Sequence, residues 1–183
     1  MDWRGFELHP ETPPGGVTVA ELVGEDRVES MRATLDAFAE RFGVQMGHPD
    51  HVPNTRRALA LVEFARDRGA LEPAWEAAMD AHWKDGLDLE HDDALREVAR
   101  RAGLDPDAAL AAADDPATLA RVDALREEAQ AAGVAGIPNF RIGDQRVVGC
   151  QPYEVLAEAV RKAGVKERGG AAGGLPDAGD PHR

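Results

Sequence analysis

The sequence predicts an α/β fold: a short N-terminal strand, about a hundred residues of helical periodicity, then a two-stranded hairpin and a closing helix. Three observations carry that prediction. Apolar residues from Glu25 to Gly133 recur at steps of three and four; after Gly133 the step drops to two; and glycine or proline stands where one pattern gives way to the next. The helical stretch is then an insertion into a small sheet domain, with residues 1–22 and 119–164 as the sheet-bearing part and 23–118 as the insertion. Residues 165–183 are rich in glycine and poor in residues that pack, so a disordered tail is expected there.

Taken in order, Trp3, Phe6 and Leu8 alternate loosely with polar neighbours, which predicts a strand over residues 2–8, stopped by the prolines and glycines of HPETPPGG. Val28, Met31, Leu35, Phe38, Ala39 and Phe42 share one face of a helix over residues 25–42, ended by Gly43. Asn54 caps a second helix whose Leu59, Leu61, Val62 and Ala65 run to a stop at Gly69, and a third helix follows over residues 72–84. Asp92 caps a fourth, Asp105 with Pro106 opens a fifth, and residues 116–133 make a sixth, closed by glycine. NFRI and RVV then flank GDQ, so that Ile142 faces Gln145 and the ladder runs back to Pro138 opposite Gly149. Pro152 falls in the first turn of a last helix, whose Val155, Leu156, Ala159 and Val160 form the apolar stripe.

At 183 residues the chain is long enough to bury about two-thirds of its unfolded surface. Its 34 Asp and Glu outweigh 21 Lys and Arg, a net charge of -13 that repels phosphate backbones and anionic membranes, so neither nucleic acid nor a membrane is expected as a partner. The opening MDWRGFELHP has neither the basic segment nor the apolar segment of a secretory leader, and a cytoplasmic protein is expected. One cysteine, Cys150, excludes an intrachain disulfide framework, a Cys-rich metal site and an internal dithiol.

The hairpin register brings Pro138 and Cys150 to the same rim of the sheet, with Cys150 two residues ahead of the last helix, where aligned amide dipoles favour a thiolate. An X-Pro step ahead of a strand is ordinarily a trans turn, and a lone cysteine at a strand end is ordinarily a small buried hydrophobe. The residues alone leave both the structural and the working reading open.

GVAGIPNF followed by VVGCQPYEVLAEAV resembles the Gly-Val-x-Gly-[Val/Ile]-Pro-x-Phe and Gly-Ala-Gln-Pro segments of the DsbA family, in particular its FrnE-like branch, which is related to hydroxychromene-carboxylate isomerases. WRGFELHPETPPGG is similar to that branch's Trp-Arg-x-Phe-x-Leu-x-Pro strand and loop, VPNTRRALALVEFA to its Pro-Asn-Thr helix start, and AHWKDGLDL to its aromatic-x-x-Gly-x-Asp-Ile turn, so the resemblance spans residues 3–163. It implies a thioredoxin-like fold with a large helical insertion and a cis bond between Ile137 and Pro138. It also implies a substrate-binding rim in which Ile137 offers its backbone to an extended segment. Ile137, Pro138 and Cys150 are therefore the candidate substrate-binding residues, and a thiol- or disulfide-containing protein or a small thiol is the implied partner.

In the family a first strand and a Cys-x-x-Cys helix precede the Trp-Arg-x-Phe segment, with which this sequence begins. No catalytic residue, metal or cofactor is therefore expected in these residues, and the chain as given is expected to be redox-inactive. Removing a central strand leaves unpaired backbone, each buried group costing about 1 to 3 kcal/mol, so something must fill the gap; a homodimer is kept among the partners. Three explanations compete: Met1 is an internal methionine of a longer thiol-disulfide oxidoreductase; or residues 2–8 pair directly with 139–142 in a non-catalytic binding module; or the chain is a relative of the glutathione-linked isomerases. Cys150, where the branch has alanine, forms in the working reading a mixed disulfide with a client or glutathione.

Other candidates read as structural. His48 and His51 are spaced three apart but flanked by prolines in a loop, and His9, His82, His91 and His182 show no partner pattern. The pairs Asp92–Asp93 and Asp114–Asp115 read as helix caps and turns. Leu59 stands where the branch often has histidine, and Trp75, Met79 and Trp83 read as a core stripe.

Overall fold

Residues 1–165 are described in the computed structural model and fall into two units, one of residues 1–135 and one beginning at Gly136. The first holds β1 (Val17–Thr18), α1 (Val19–Val23), α2 (Glu25–Arg41), β2 (His51–Val52), α3 (Arg56–Arg66), α4 (Leu71–Trp83), α5 (Asp92–Arg101), α6 (Pro106–Ala113) and α7 (Pro116–Ala131). The second holds β3 (Asn139–Ile142), β4 (Gln145–Val148) and α8 (Tyr153–Lys162). Apart from Val165, the expected tail lies outside the described residues.

Helix α3 organises the first unit because it is apolar around most of its circumference. Ala58, Ala60, Leu61, Val62, Phe64 and Ala65 are all buried, and α4, α5, α6 and α7 pack against it. Much of the surrounding core is alanine: Ala74, Ala81, Ala99, Ala109 and Ala113 are fully buried beside the larger Leu61, Leu95 and Val98. The expected stripe on α4 is corrected by this packing. Ala74, Ala77, Ala78 and Ala81 form its buried face, Met79 is exposed, and Trp75 stacks on Trp3 with ring centroids 6.1 Å apart. Small side chains let the helices approach where the bulky stripe would have held them apart.

Residues 2–8 form no strand. Among the described residues they join no ladder, and the expected pairing of residues 2–8 with 139–142 is absent from the sheets, which hold only β1 with β2 and β3 with β4. Helix arginines take the place of a neighbouring strand. Arg66 donates to the Trp3 carbonyl and to Asp2, Arg4 meets Glu128 at 2.6 Å, and buried Glu7 accepts from Arg56 at 3.3 Å and Arg126 at 3.0 Å. The segment also lies close on α3, since a Cβ at Gly5 would stand 2.8 Å from Leu59 Cδ2.

Three caps differ from expectation. Asn54 precedes α3 as a turn residue, its Oδ1 accepting from the Arg56 amide and its Nδ2 donating to the Thr12 carbonyl, while Thr55 is the capping residue. Asp92 is inside α5, behind the cap residue His91, because its carboxylate is taken by Arg57 at 2.8 Å. Pro152 caps α8 from outside the helix. Asp105 and Asp115 do cap α6 and α7, accepting from the Ala108 and Thr118 amides. The short β1–β2 pair and α1 were not expected; α1 carries a capping box in which Thr18 and Glu21 bond each other's backbone amides.

Candidate functional site

The hairpin places the candidate residues. Its register is Asn139 to Val148, Phe140 to Val147, Arg141 to Arg146 and Ile142 to Gln145, around Gly143 and Asp144. The pairs on either side of a tight turn alternate between bonded and non-bonded, so the series Ile142, Phe140, Pro138 carries the bonds to the partner strand. The Gly149 amide accordingly donates to the Pro138 carbonyl at 2.9 Å. The Ile137–Pro138 bond is cis, and Gly149 has φ 78°, a left-handed turn that suits glycine.

On this rim Ile137 is 55% exposed, Pro138 is half-buried and Cys150 is a free, exposed thiol next to Gly149. Gln151 donates to the Val148 carbonyl at 2.9 Å, and with Pro152 as the cap Cys150 stands three positions ahead of α8, one further than expected. The surrounding surface is apolar: Val148, Tyr153 and Val155 are exposed. By the bond alternation, the outward edge of β3 carries the amides and carbonyls of Asn139 and Arg141, and no strand pairs with that edge among the described residues. An unpaired strand edge, an exposed isoleucine and an exposed thiol thus stand together at this end of the hairpin.

The histidines have partners that the sequence pattern did not show. His9 lies 3.2 Å from Glu11, His48 lies 2.9 Å from Asp36, and the Asp88 carboxylate stands between His51 at 3.3 Å and His91 at 3.5 Å. Burial holds the His82 imidazole below its usual value, against a bond to the Leu87 backbone and the nearby Asp88 charge; its Nδ1 is buried without a partner. Asp88 faces an open cleft of about 960 Å³ lined also by Glu90, Asp92, Asp93, Arg57 and Arg96. Arg57 is already committed there, to Asp92, Asp114 and the Glu90 carbonyl. No group of three or more His, Cys, Asp or Glu among the described residues is arranged to hold a metal ion. His9–Glu11 and Asp88–His91 are neighbours in sequence, whereas His48–Asp36 and His51–Asp88 join segments that no local spacing announces.

A hairpin that opens on a cis-proline and runs into a closing helix is an element of a thioredoxin-type domain. The chain belongs to the DSBA-like thioredoxin domain family, whose model matches residues 1–161. It is similar to the probable DsbA oxidoreductase SCO1869 of Streptomyces coelicolor, at 28% identity and a TM-score of 0.79, over 90% of this chain and 76% of that one. The uncharacterized protein YwbO of Bacillus subtilis is 24% identical over 87% of this chain and 80% of its own length. A 2-hydroxychromene-2-carboxylate isomerase shares the fold at a TM-score of 0.63 and 19% identity, over 75% of this chain and 68% of that one. No described helix is long and apolar enough to cross a membrane.

Proposed function

We propose that this chain is a FrnE-like protein of the thiol-disulfide oxidoreductase type that binds its substrate at the cis-proline rim and, as given, carries out no dithiol catalysis. The observation that carries the reading is the rim itself, where exposed Ile137 leads into the cis-proline and the Gly149–Pro138 bond holds the Cys150 loop beside it. An extended segment of a thiol- or disulfide-bearing protein, or a small thiol, is the ligand. Turnover of a disulfide by one protein needs two thiols, and the sequence holds one. A single thiol can still exchange. Cys150 Sγ, after losing its proton to solvent, attacks one sulfur of a disulfide, forms a mixed disulfide and releases the other sulfur as a thiolate. A cytoplasmic location accompanies this reading, since one cysteine supplies no structural disulfides that would need an oxidising compartment.

Two measurements test it. Native protein treated with glutathione disulfide should gain one glutathione, located at Cys150 by mass spectrometry, and the same chain should reduce insulin no faster than background. An unmodified Cys150, or insulin reduction above background, overturns the corresponding half of the proposal. The fold shared with 2-hydroxychromene-2-carboxylate isomerase favours a second reading as a glutathione-linked isomerase relative. Saturable binding of reduced glutathione that persists in Cys150→Ser separates it from the first.

A further inference from the structure

We propose that α2 is a docking helix for an acidic amphipathic helix of a protein partner. Val28, Met31, Leu35, Phe38 and Phe42 follow one another at steps of 3, 4, 3 and 4, read directly off the sequence. That is the spacing of the narrow seam along which one helix packs on another, not of the broader stripe that sinks into a core. The structure leaves this seam largely without a helix partner. Of the 17 residues of α2 only Ala39 is buried. Phe38 and Phe42, stacked with centroids 6.4 Å apart, are 45% and 43% exposed, and Val44 beyond the helix end is exposed too. The helix packs on α1 and is tied by the bond between Arg32 and Asp50 and by that between Asp36 and His48, and Val28, Met31 and Leu35 are only partly buried.

Charge selects the occupant. Written as heptads with Val28, Leu35 and Phe42 at a and Met31 and Phe38 at d, the flanking e and g positions from 27 to 41 are Arg27, Arg32, Thr34, Ala39 and Arg41; Arg32 is taken by Asp50 and Ala39 is buried, so the charges left to a partner are Arg27 and Arg41, both on the g side. Arg41 lies over the Phe42 ring, 5.7 Å from its centre. The carboxylates of this stretch, Glu29, Asp36 and Glu40, sit further round the helix; Glu25, at its first residue, is the exception. A seam edged with arginine is matched by a helix whose own flanks carry Asp or Glu. A second copy of α2 would set arginine against arginine. An anionic membrane would meet the carboxylates of the outer face and a chain of net charge -13.

The test uses the full chain and two labelled peptides of equal length, each with leucine at a and d, one with glutamate and the other with lysine at every e and g. Binding is read by fluorescence anisotropy and oligomeric state by sedimentation. The acidic peptide should bind about tenfold tighter than the basic one, since Arg27 and Arg41 each attract a glutamate where they would repel a lysine. Phe38→Ser with Phe42→Ser should abolish both, and Arg27→Glu with Arg41→Glu should reverse the preference while circular dichroism stays unchanged. The proposal is overturned if the two peptides bind alike, if the charge reversal fails to switch them, or if sedimentation shows a homodimer that the serine variant dissociates. It is equally overturned if anionic vesicles bind the chain and the acidic peptide does not.

Discussion

The Glu7 carboxylate accepts a hydrogen bond from Arg126 at 3.0 Å across 119 positions of sequence, with Glu7 only 5% exposed. Arg56 completes the arrangement, reaching Glu7 with one nitrogen and Asp123 at 2.6 Å with another. The Arg56 bond in turn holds the Asp123 carboxyl below the usual carboxylate range. Glu7 therefore ties the extended N-terminal segment to α3 and α7 in one interaction. Replacing it by alanine leaves two half-buried guanidinium groups short of a partner. Glu7→Ala should lower stability by about 2 kcal/mol, read as a shift in the urea midpoint. A change below about 0.5 kcal/mol would show that the network is a surface ornament.

His82 makes stability depend on pH with a definite sign. Burial, the largest cause, depresses its folded-state pKa, so the unfolded chain binds a proton at a pH where the folded chain does not. The contribution is fully present above the unfolded value of about 6.5 and is lost as the pH falls through it towards the lower folded value. The urea midpoint should drop between pH 7.5 and pH 5, and His82→Gln should flatten that drop. An unchanged slope in the variant would assign the acid sensitivity to other groups.

Leu95 is fully buried between α4 and α6, at the heart of the cluster around α3. Leu95→Ala should cost about 2 to 5 kcal/mol, the value depending on how far the alanine-lined neighbours collapse into the space. Thermal and chemical denaturation report the loss directly.

Asp105 accepts from the Ala108 amide at 2.7 Å and caps α6. Asp105→Ala should cost about 1 kcal/mol, and Asp105→Ser should restore most of it. Failure of serine to rescue would mean that the carboxylate acts through its charge.

The helices from α2 to α7 were legible because of their apolar steps and their stops: all but α6 end where a glycine takes a left-handed turn, as Gly69 does at φ 70°, and α6 stops at the Asp-Asp-Pro that opens α7. The hairpin was legible down to its register, since a Gly-Asp turn leaves one way for Ile142 to face Gln145. Residues 2–8 misled because alternation signals a strand only if another strand is there to pair; here the partners are arginines from α3 and α7. Two further signals stand in the sequence. Thr18 and Glu21 spell a capping box ahead of α1, and the alanines of α4 mark the close-packed face that the tryptophans seemed to own. At the rim, sequence places Ile137, Pro138 and Cys150 together through the ladder. The carboxylate partners of His48 and His51 arise only once segments distant in sequence have met.

The alanine-filled interior sets how this protein tolerates change. Where Ala60, Ala65, Ala74, Ala81 and Ala99 allow no solvent contact, trimming has almost nothing left to remove, whereas even a valine needs room that the neighbouring backbone does not give. A saturation-mutagenesis map should then be inverted relative to a leucine-built bundle. Its most damaging positions would be those where the natural residue is smallest, and the harm would climb with the bulk of the newcomer.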